Sequence, residues 1–260
     1  MVFYQSGSIK YYKFSILDNP GLYHAVYTRH GGFSPEPWKS LNFGASVGDD
    51  PGRVKQNRER ALAALDINPL SVYDVYQVHS TKVVTTEQPL GIQEQHIKAD
   101  GIITDTPGLT LMMRFADCVP ILLFDPVQHA IGIAHAGWIG TVNRIAAEAV
   151  RQMKENYGTI PGNILAAIGP AIGPDHYPVG HEVIEKINMN FGEKAEQLIL
   201  HKDGKSHFDL WKANLLILNE IGVTQVEFAG LCTNCDLDNW YSHRGEHGKT
   251  GRFGIVLGLY

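Results

Sequence analysis

Short apolar runs alternate with longer segments of helical spacing along this chain. Apolar runs bounded by glycine, proline or polar clusters predict strands over 22–27, 72–78, 109–115, 119–124, 131–134, 164–168, 226–229 and 254–257. Apolar residues at helical spacing predict helices that start after Asp50 and over 142–156, 182–191 and 210–220. Some strands follow each other too closely for a crossover helix, so antiparallel neighbours are expected. The pattern predicts an α/β fold with several antiparallel strand neighbours.

Two helix ends carry recognisable signals. Asp50 and Pro51 fit an N-cap and a first-turn residue, and Gly222 stands where a helix C-cap glycine belongs. The helix over 142–156 has one apolar face, made by Val142, Ile145, Ala146, Ala149, Val150 and Met153.

A long loop, TRHGGFSPEPWKSLNFG over 28–44, follows the first predicted strand. Loops of this length inside a compact domain usually have a function. The chain has no internal repeat, no low-complexity tract and no linker that separates independent domains. We therefore expect a single domain over residues 1–260.

Composition is that of an ordinary globular protein: 260 residues, 44% hydrophobic and 19% charged, with a net charge of -5. There is no lysine or arginine run, so neither a nucleic-acid partner nor a membrane surface is indicated, and small-molecule substrates are expected. No stretch of about 18 apolar residues and no export signal is evident, which favours a cytoplasmic protein. The sequence indicates no oligomeric state.

Three cysteines are too few for a disulfide framework, and free thiols or metal ligands are the natural interpretation. Cys118 lies between two apolar runs, and His135 ends the next run beside a predicted helix N-terminus, a place that attracts anions. His79 ends the run over 72–78 in the same way. Since strand ends converge on one rim of a sheet, these three residues could share a site.

Three interpretations of the trio stay open on residues alone. Zn²⁺ bound by one cysteine and two histidines would keep an open position for catalysis. Without metal, Cys118 could be a nucleophile with a histidine as its base. A buried core cysteine and two surface histidines are the third interpretation.

Several strings together resemble the YfiH/YlmD family, long labelled multicopper polyphenol oxidases or laccase-domain proteins. They are QVHS, ADCVPIL, HAGWIG, the 28–44 loop, GPAIG with Tyr177 and Val179 after it, and SHR ahead of TGR. The resemblance implies a CNF1/YfiH-like, α+β-like sandwich of mixed β-sheets covered by helices. It also implies a zinc site of His79, Cys118 and His135, with copper as the alternative metal.

The activity that the resemblance implies is a purine nucleoside phosphorylase for adenosine, inosine and methylthioadenosine, with adenosine deaminase activity. The substrates would be a purine nucleoside and phosphate, and His79, Cys118 and His135 would be catalytic as well as metal-binding.

Further family positions suggest substrate contacts. Ser40 and Asn42 could bind phosphate or ribose, or only shape their loop. Arg244 and Arg252 could hold phosphate, because a guanidinium suits an oxyanion.

Asp117 could position a substrate hydroxyl or orient a ligand histidine. Arg29 could do no more than orient the loop, and Tyr177 and Trp138 could stack on a purine.

Some positions depart from the family pattern. Ile139 stands where the family usually has arginine after HAGW, and His243 and Gly245 replace a tyrosine and an arginine. Weaker or rebuilt phosphate binding is expected from these changes. Cys232 and Cys235 form CTNC, half of a zinc site or a redox pair in pattern, and ordinary free thiols are favoured because no second CxxC is near.

Three alternative functions remain. A cysteine amidase that edits UDP-muramic acid peptidoglycan precursors is implied by some family members. A copper polyphenol oxidase is disfavoured, because the chain lacks paired His-x-His motifs despite its 12 histidines. A non-catalytic metal-binding protein would need a fourth protein ligand near the three.

Overall fold

The computed structural model describes residues 2–90 and 95–260 and contains two six-stranded sheets that pack face to face. The first sheet has the order β1-β2-β3-β14-β7-β4 and is antiparallel except where β4 pairs with β7. Its strands are β1 (Val2–Ser6), β2 (Ile9–Lys13), β3 (Leu22–Tyr27), β4 (Val72–Asp74), β7 (Thr110–Phe115) and β14 (Phe253–Leu259).

The second sheet has the order β13-β10-β8-β9-β6-β5, with antiparallel pairs inside and a parallel pair at each edge. Its strands are β5 (Val83–Thr85), β6 (Gly101–Thr104), β8 (Val119–Asp125), β9 (Ala130–Ala136), β10 (Leu165–Ile168) and β13 (Gln225–Phe228). A separate hairpin is formed by β11 (Ile199–Lys202) and β12 (Lys205–Phe208). The expected mixed sheets are confirmed.

Helices cover the outer faces of both sheets. They are α1 (Pro51–Ala63), α2 (Trp138–Val142), α3 (Ile145–Tyr157), α4 (His181–Phe191) and α5 (Leu210–Glu220). Residues of α1 pack on the first sheet and those of α2 to α5 on the second. The predicted fold, a sandwich of mixed β-sheets covered by helices, is therefore confirmed.

Strand β8 shows why the central apolar runs are continuous rather than alternating. Its odd positions, such as Ile121 and Leu123, face the helices, and its even positions Leu122 and Phe124 face the other sheet. Because successive side chains point to opposite faces and both faces are covered, every residue of the strand is buried.

The helix-end signals are confirmed, whereas one helix differs from the prediction. The side chain of Asp50 accepts the backbone N–H of Arg53, and Gly222 follows α5 with φ +88°. The predicted helix over 142–156 is wrong at its start. The chain enters α2 at Trp138 and breaks at Arg144, whose φ of +63° is left-handed, before α3 begins.

The strand over 72–78 is shorter than predicted and ends at Asp74. Strands β1, β2, β5, β6, β11 and β12 were not predicted; β1 is largely exposed, and β5, β6, β11 and β12 have no more than four residues each. Such strands lack the long apolar runs by which the others are recognisable.

Two segments carry the chain from the first sheet to the second. Residues 75–82 join β4 to β5, and residues 116–118 join β7 to β8. His79 lies in the first crossing and Cys118 in the second, so both lie at the seam between the sheets.

Within the described ranges, none of the helices has the length and apolar character that crossing a membrane requires.

Candidate functional site

The structure brings His79, Cys118 and His135 together. One ligand atom from each lies within 4.8 Å of the others, and Nε2 of His79 is 3.7 Å from Sγ of Cys118. His79 is exposed, Cys118 is half-buried and His135 is 5% exposed, so the cluster has one open side.

The positions of the two histidines differ in detail from the strand-end expectation. His79 lies in the crossing loop beyond β4 and has a φ of +60°, and His135 lies within β9 rather than after it. Left-handed backbone at His79, and at Asp117 with φ +80°, turns each crossing sharply at His79 and next to Cys118.

Asp100, immediately before β6, is the residue that organises this cluster. Its carboxylate accepts backbone N–H groups from Val78, His79 and Ser80 at 3.2, 3.0 and 2.6 Å. Oδ1 also lies 2.8 Å from Nδ1 of His135. One fully buried carboxylate thus fixes both the His79 loop and the His135 ring.

Sequence reasoning missed Asp100. The available signal was an acidic residue directly before a buried apolar strand, because such a carboxylate needs partners. Burial raises the pKa of Asp100, but the hydrogen bond and the charge of His135 and the bonds from Ser80 outweigh it, so that the pKa falls to about 2. The carboxylate is therefore ionised at neutral pH.

Cys118 and His135 stabilise each other's charged forms. Burial raises the pKa of the Cys118 thiol, but the charge and hydrogen bond of His135, with help from His79, lower it to about 6. Burial lowers the pKa of His135, whereas the Cys118 thiolate and Asp100 raise it to about 9. A thiolate is thus available at neutral pH, either as a metal ligand or as a nucleophile.

The donor set fits a tetrahedral metal such as zinc. For Zn–S of about 2.3 Å and Zn–N of about 2.05 Å, the sulfur–nitrogen edge of a tetrahedron is ~3.6 Å. The separation of 3.7 Å between His79 and Cys118 matches that edge. Because Nδ1 of His135 is bonded to Asp100, its Nε2 is the nitrogen left for a metal.

Gly137 leaves the space that this cluster needs. A Cβ at this residue would lie 2.9 Å from Sγ of Cys118 and 2.9 Å from Cδ2 of His79. Since real Cβ atoms do not approach other atoms so closely, any side chain here would displace Cys118 and His79.

The cluster opens into a cavity of about 660 Å³, within the range of small-molecule sites. Four arginines line this cavity: Arg58, Arg114, Arg244 and Arg252. Among the described lining residues Asp117 is the only carboxylate, so the cavity favours an anionic ligand.

Both arginines predicted to bind phosphate line the cavity. Nη1 of Arg252 donates to the carbonyl of Gly251 at 2.8 Å, and burial lowers its pKa. Nη1 of Arg244 donates to the carbonyl of Pro178 at 3.1 Å, and its guanidinium lies 5.2 Å from the ring centroid of Tyr177. Each guanidinium is held in place while part of its fork faces the cavity.

Arg58 and Arg114 were not singled out from the sequence. Arg58, Arg114 and His96 all contact the buried carboxylate of Asp74, with Nε2 of His96 2.5 Å from Oδ1. Arg58 and Arg114 thus form a second basic wall of the cavity. The two residues are far apart in the chain, so only the tertiary fold brings them together.

Asp117 lines the cavity but is occupied by hydrogen bonds. Its carboxylate accepts hydrogen bonds from the hydroxyl groups of Thr233 and Ser242, both at 2.7 Å, and from the backbone N–H of Arg244 at 2.6 Å. Orientation of a ligand histidine, one of the two roles suggested for Asp117, is performed by Asp100 for His135.

Ser40 and Asn42 do not line the cavity. Oγ of Ser40 donates to the carbonyl of Arg29, and Asn42, which is fully buried, accepts the N–H groups of Gly44 and Arg252. Both side chains shape the long loop. Arg29 holds this loop as well, through Glu246 and backbone carbonyls.

Two of the three departures from the family pattern face the cavity. Ile139 and His243 line it, together with Trp138 and Tyr177. Gly245 does not; its N–H donates to Oγ of Ser242. The substitutions at Ile139 and His243 therefore change the wall that a substrate would meet.

A family model described as multi-copper polyphenol oxidoreductase laccase matches residues 23–260. Curated relatives with YlmD and YfiH names match nearly the whole chain at 34–36% identity. The chain belongs to the YfiH/YlmD family.

Other comparisons agree with this membership. A protein of Deinococcus radiodurans named purine nucleoside phosphorylase is 40% identical over 93% of this chain and 90% of its own length. Purine nucleoside phosphorylase YlmD of Bacillus subtilis is 36% identical over 89% and 86% of the two chains. The crystal structure of YlmD from Geobacillus stearothermophilus superposes with a TM-score of 0.91 at 31% identity, covering 99% of this chain and 98% of that one.

Proposed function

We propose that this protein is a zinc-dependent purine nucleoside phosphorylase that acts on adenosine, inosine and methylthioadenosine and also deaminates adenosine. The observation that carries the proposal is the opening of the cluster of His79, Cys118 and His135 into an arginine-lined cavity. Relatives that match nearly the full chain bear the phosphorylase name.

The trio would hold the metal, with Asp100 behind His135 and Gly137 leaving room for the ligands. Zinc bound there would supply a Lewis acid at the wall of the cavity. Copper accepts the same donors, but the described residues that line the cavity include no methionine thioether, and the sequence has no His-x-His motif, so zinc is favoured.

Arg244 and Arg252 are the residues that would bind phosphate. Their guanidinium groups are planar donors that suit an oxyanion, and each is held by a backbone carbonyl. The helix whose N-terminus was expected to attract an anion is the short α2 of only five residues, so the arginines are assigned the binding of phosphate.

In phosphorolysis, an oxygen of the bound phosphate forms a bond to C1′ of the nucleoside. The bond from C1′ to the purine nitrogen breaks, and its electron pair leaves with the purine. Arg244 and Arg252 would orient the phosphate for attack, and the aromatic walls of Trp138 and Tyr177 would hold the purine.

Deamination of adenosine would use the same cavity, with water instead of phosphate as the nucleophile and with C6 of the purine as the position attacked. Ammonia is released and inosine is formed. The two activities therefore share the metal ligands but differ in their need for the phosphate-binding arginines.

Incubation of zinc-loaded protein with adenosine, in phosphate buffer and in phosphate-free buffer, tests the proposal. We expect adenine and ribose 1-phosphate only where phosphate is present, and inosine in both buffers. Cys118→Ala should abolish both reactions in a protein whose circular dichroism spectrum is unchanged. Adenosine returned intact by the zinc-loaded protein in both buffers would refute the phosphorylase and the deaminase.

The lowered pKa of Cys118 favours a second candidate, a cysteine amidase acting on UDP-muramic acid precursors. Its test is iodoacetamide labelling of metal-free protein. A reactive Cys118 that such a precursor protects would support the amidase, and an unreactive thiol would count against it.

A further inference from the structure

A second cluster of metal-ligand type lies outside the cavity. It consists of His176, Cys232 and Cys235, whose ligand atoms lie within 4.8 Å of one another. His176 ends a short 3₁₀ turn, Pro174–His176, and the two cysteines flank the turn that follows Leu231. None of the three lines the cavity described above.

The separations within this cluster match tetrahedral zinc. Nδ1 of His176 is 3.8 Å from Sγ of Cys232 and 3.6 Å from Sγ of Cys235. The expected sulfur–nitrogen edge is ~3.6 Å, and the separation between His79 and Cys118 in the first cluster is close to the same value. The spacing Cys-x-x-Cys lets both thiols of one turn reach a common ion.

The surroundings of Cys232 are those of a ligating thiolate. Its Sγ accepts the backbone N–H of Gly173 at 3.2 Å, a bond that stabilises negative charge on sulfur. A Cβ at Gly173 would lie 3.2 Å from this sulfur and 3.0 Å from Oδ1 of Asp175. The absence of a side chain therefore permits this close approach.

Asp175 offers a fourth donor beside the cluster, although its carboxylate is not among the ligand atoms that lie within 4.8 Å of one another. Its Oδ1 lies 3.0 Å from Nδ1 of His176, and its side chain is 47% exposed. A nitrogen that binds metal through its lone pair carries no proton for this carboxylate, which is then free to turn to the ion. A closed set of four protein ligands is typical of structural zinc.

We propose that Cys232, Cys235 and His176 bind a structural Zn²⁺, with the carboxylate of Asp175 as the fourth ligand. This replaces the interpretation of the two cysteines as ordinary free thiols.

The ion would join two segments that reach the phosphorylase cavity. Thr233, between the cysteines, donates to Asp117, and Tyr177, next to His176, lines the cavity. The second zinc would thus hold the wall of the first site without touching the substrate.

Metal content tests the proposal. Zinc-loaded and desalted wild-type protein should retain about two zinc ions per chain, and Cys118→Ala and the double variant Cys232→Ser/Cys235→Ser should each retain about one. His176→Gln should also lose one ion, whereas His181→Gln, which changes an exposed histidine on α4, should lose none. A double variant that retains as much zinc as the wild type would overturn the proposal.

Cobalt identifies the ligands independently of activity. In the Cys118→Ala background, Co²⁺ should give thiolate-to-metal charge-transfer absorption that disappears when Cys232 and Cys235 are both replaced by serine. No such absorption in Cys118→Ala would contradict a site made by these thiols.

Thiol labelling of the wild type tests the site without any variant that could misfold. Iodoacetamide should leave Cys235 unmodified in zinc-loaded protein and modify it after chelation, although the residue is exposed. Equal labelling in both states would overturn the proposal, as would a disulfide between Cys232 and Cys235 in the purified protein. These readouts do not depend on whether the chain is a phosphorylase.

Discussion

Oδ1 of Asp100 lies 2.8 Å from Nδ1 of His135, and this hydrogen bond leaves Nε2 of the ring as the nitrogen facing Cys118. The same carboxylate holds the loop that carries His79. One acidic residue therefore positions two of the three proposed metal ligands.

Asp100→Asn should weaken zinc binding by about 10- to 100-fold, because the amide neither fixes the histidine tautomer nor accepts all of the loop N–H groups. Competition with a chromogenic chelator measures the zinc affinity. Asp105→Asn, at an exposed position shortly after β6, is the matched control and should bind zinc as the wild type does. Unchanged zinc affinity in Asp100→Asn would show that Asp100 does not support the binding of zinc.

Gly137→Ala should weaken zinc binding by about tenfold or more, because the new Cβ would displace both Cys118 and His79. The same chelator competition applies. Gly162→Ala, where a Cβ meets no atom within 4 Å, should leave the zinc affinity unchanged. If the two alanine variants bind zinc equally well, the close approach at Gly137 has no bearing on ligation.

Ile139→Arg should lower the KM for phosphate by about three- to tenfold if the chain is a phosphorylase, because a guanidinium added to this wall attracts the anion. The KM is obtained from initial rates at varied phosphate concentration. Ile139→Met keeps the size without the charge and should leave the KM for phosphate near the wild-type value. An arginine variant that matches the methionine variant would speak against phosphate binding at this wall.

His24 should make the fold sensitive to acid. Its Nε2 accepts the backbone N–H of Phe14 at 2.8 Å, and burial, with help from the charge of Lys13, lowers its pKa to about 3. In the unfolded chain the pKa is about 6.5. Between these values the unfolded chain binds the extra proton, so the free energy of unfolding falls as the pH drops, by up to ~1.4 kcal/mol per pH unit from this residue.

Urea unfolding between about pH 7 and pH 4 measures this effect. His24→Gln, which cannot be protonated, should show a smaller loss of stability over the interval than the wild type. His181→Gln, at an exposed histidine, should keep the wild-type slope. Parallel slopes for His24→Gln and the wild type would show that His24 does not titrate as described.

The long central strands and most helices were predictable because their apolar runs or caps are local signals. The predicted runs over 109–115 and 119–124 correspond to strands that begin or end within a residue of those limits. The break at Arg144 was not predictable, since the apolar face continues through it and no glycine marks the left-handed position. A single domain over the whole chain stays a prediction.

The trio of proposed metal ligands, His79, Cys118 and His135, was recognisable because each residue stands in a distinctive string. The residues that support it were not. Asp100, Gly137 and the basic wall of Arg58 and Arg114 act through contacts with distant parts of the chain, which no local pattern records. Ser40 and Asn42 match family strings, yet their side chains shape the loop.

His79 and Cys118 stand on the two crossings that pass from one sheet to the other. An ion held by both would cross-link the halves of the sandwich at the seam, while the hydrophobic cores on either side need not change. Substitutions on the cavity walls, such as those at Ile139 and His243, can therefore accumulate without any repacking of the sheets. The same architecture could in this way alter its substrate while the metal anchor stays in place.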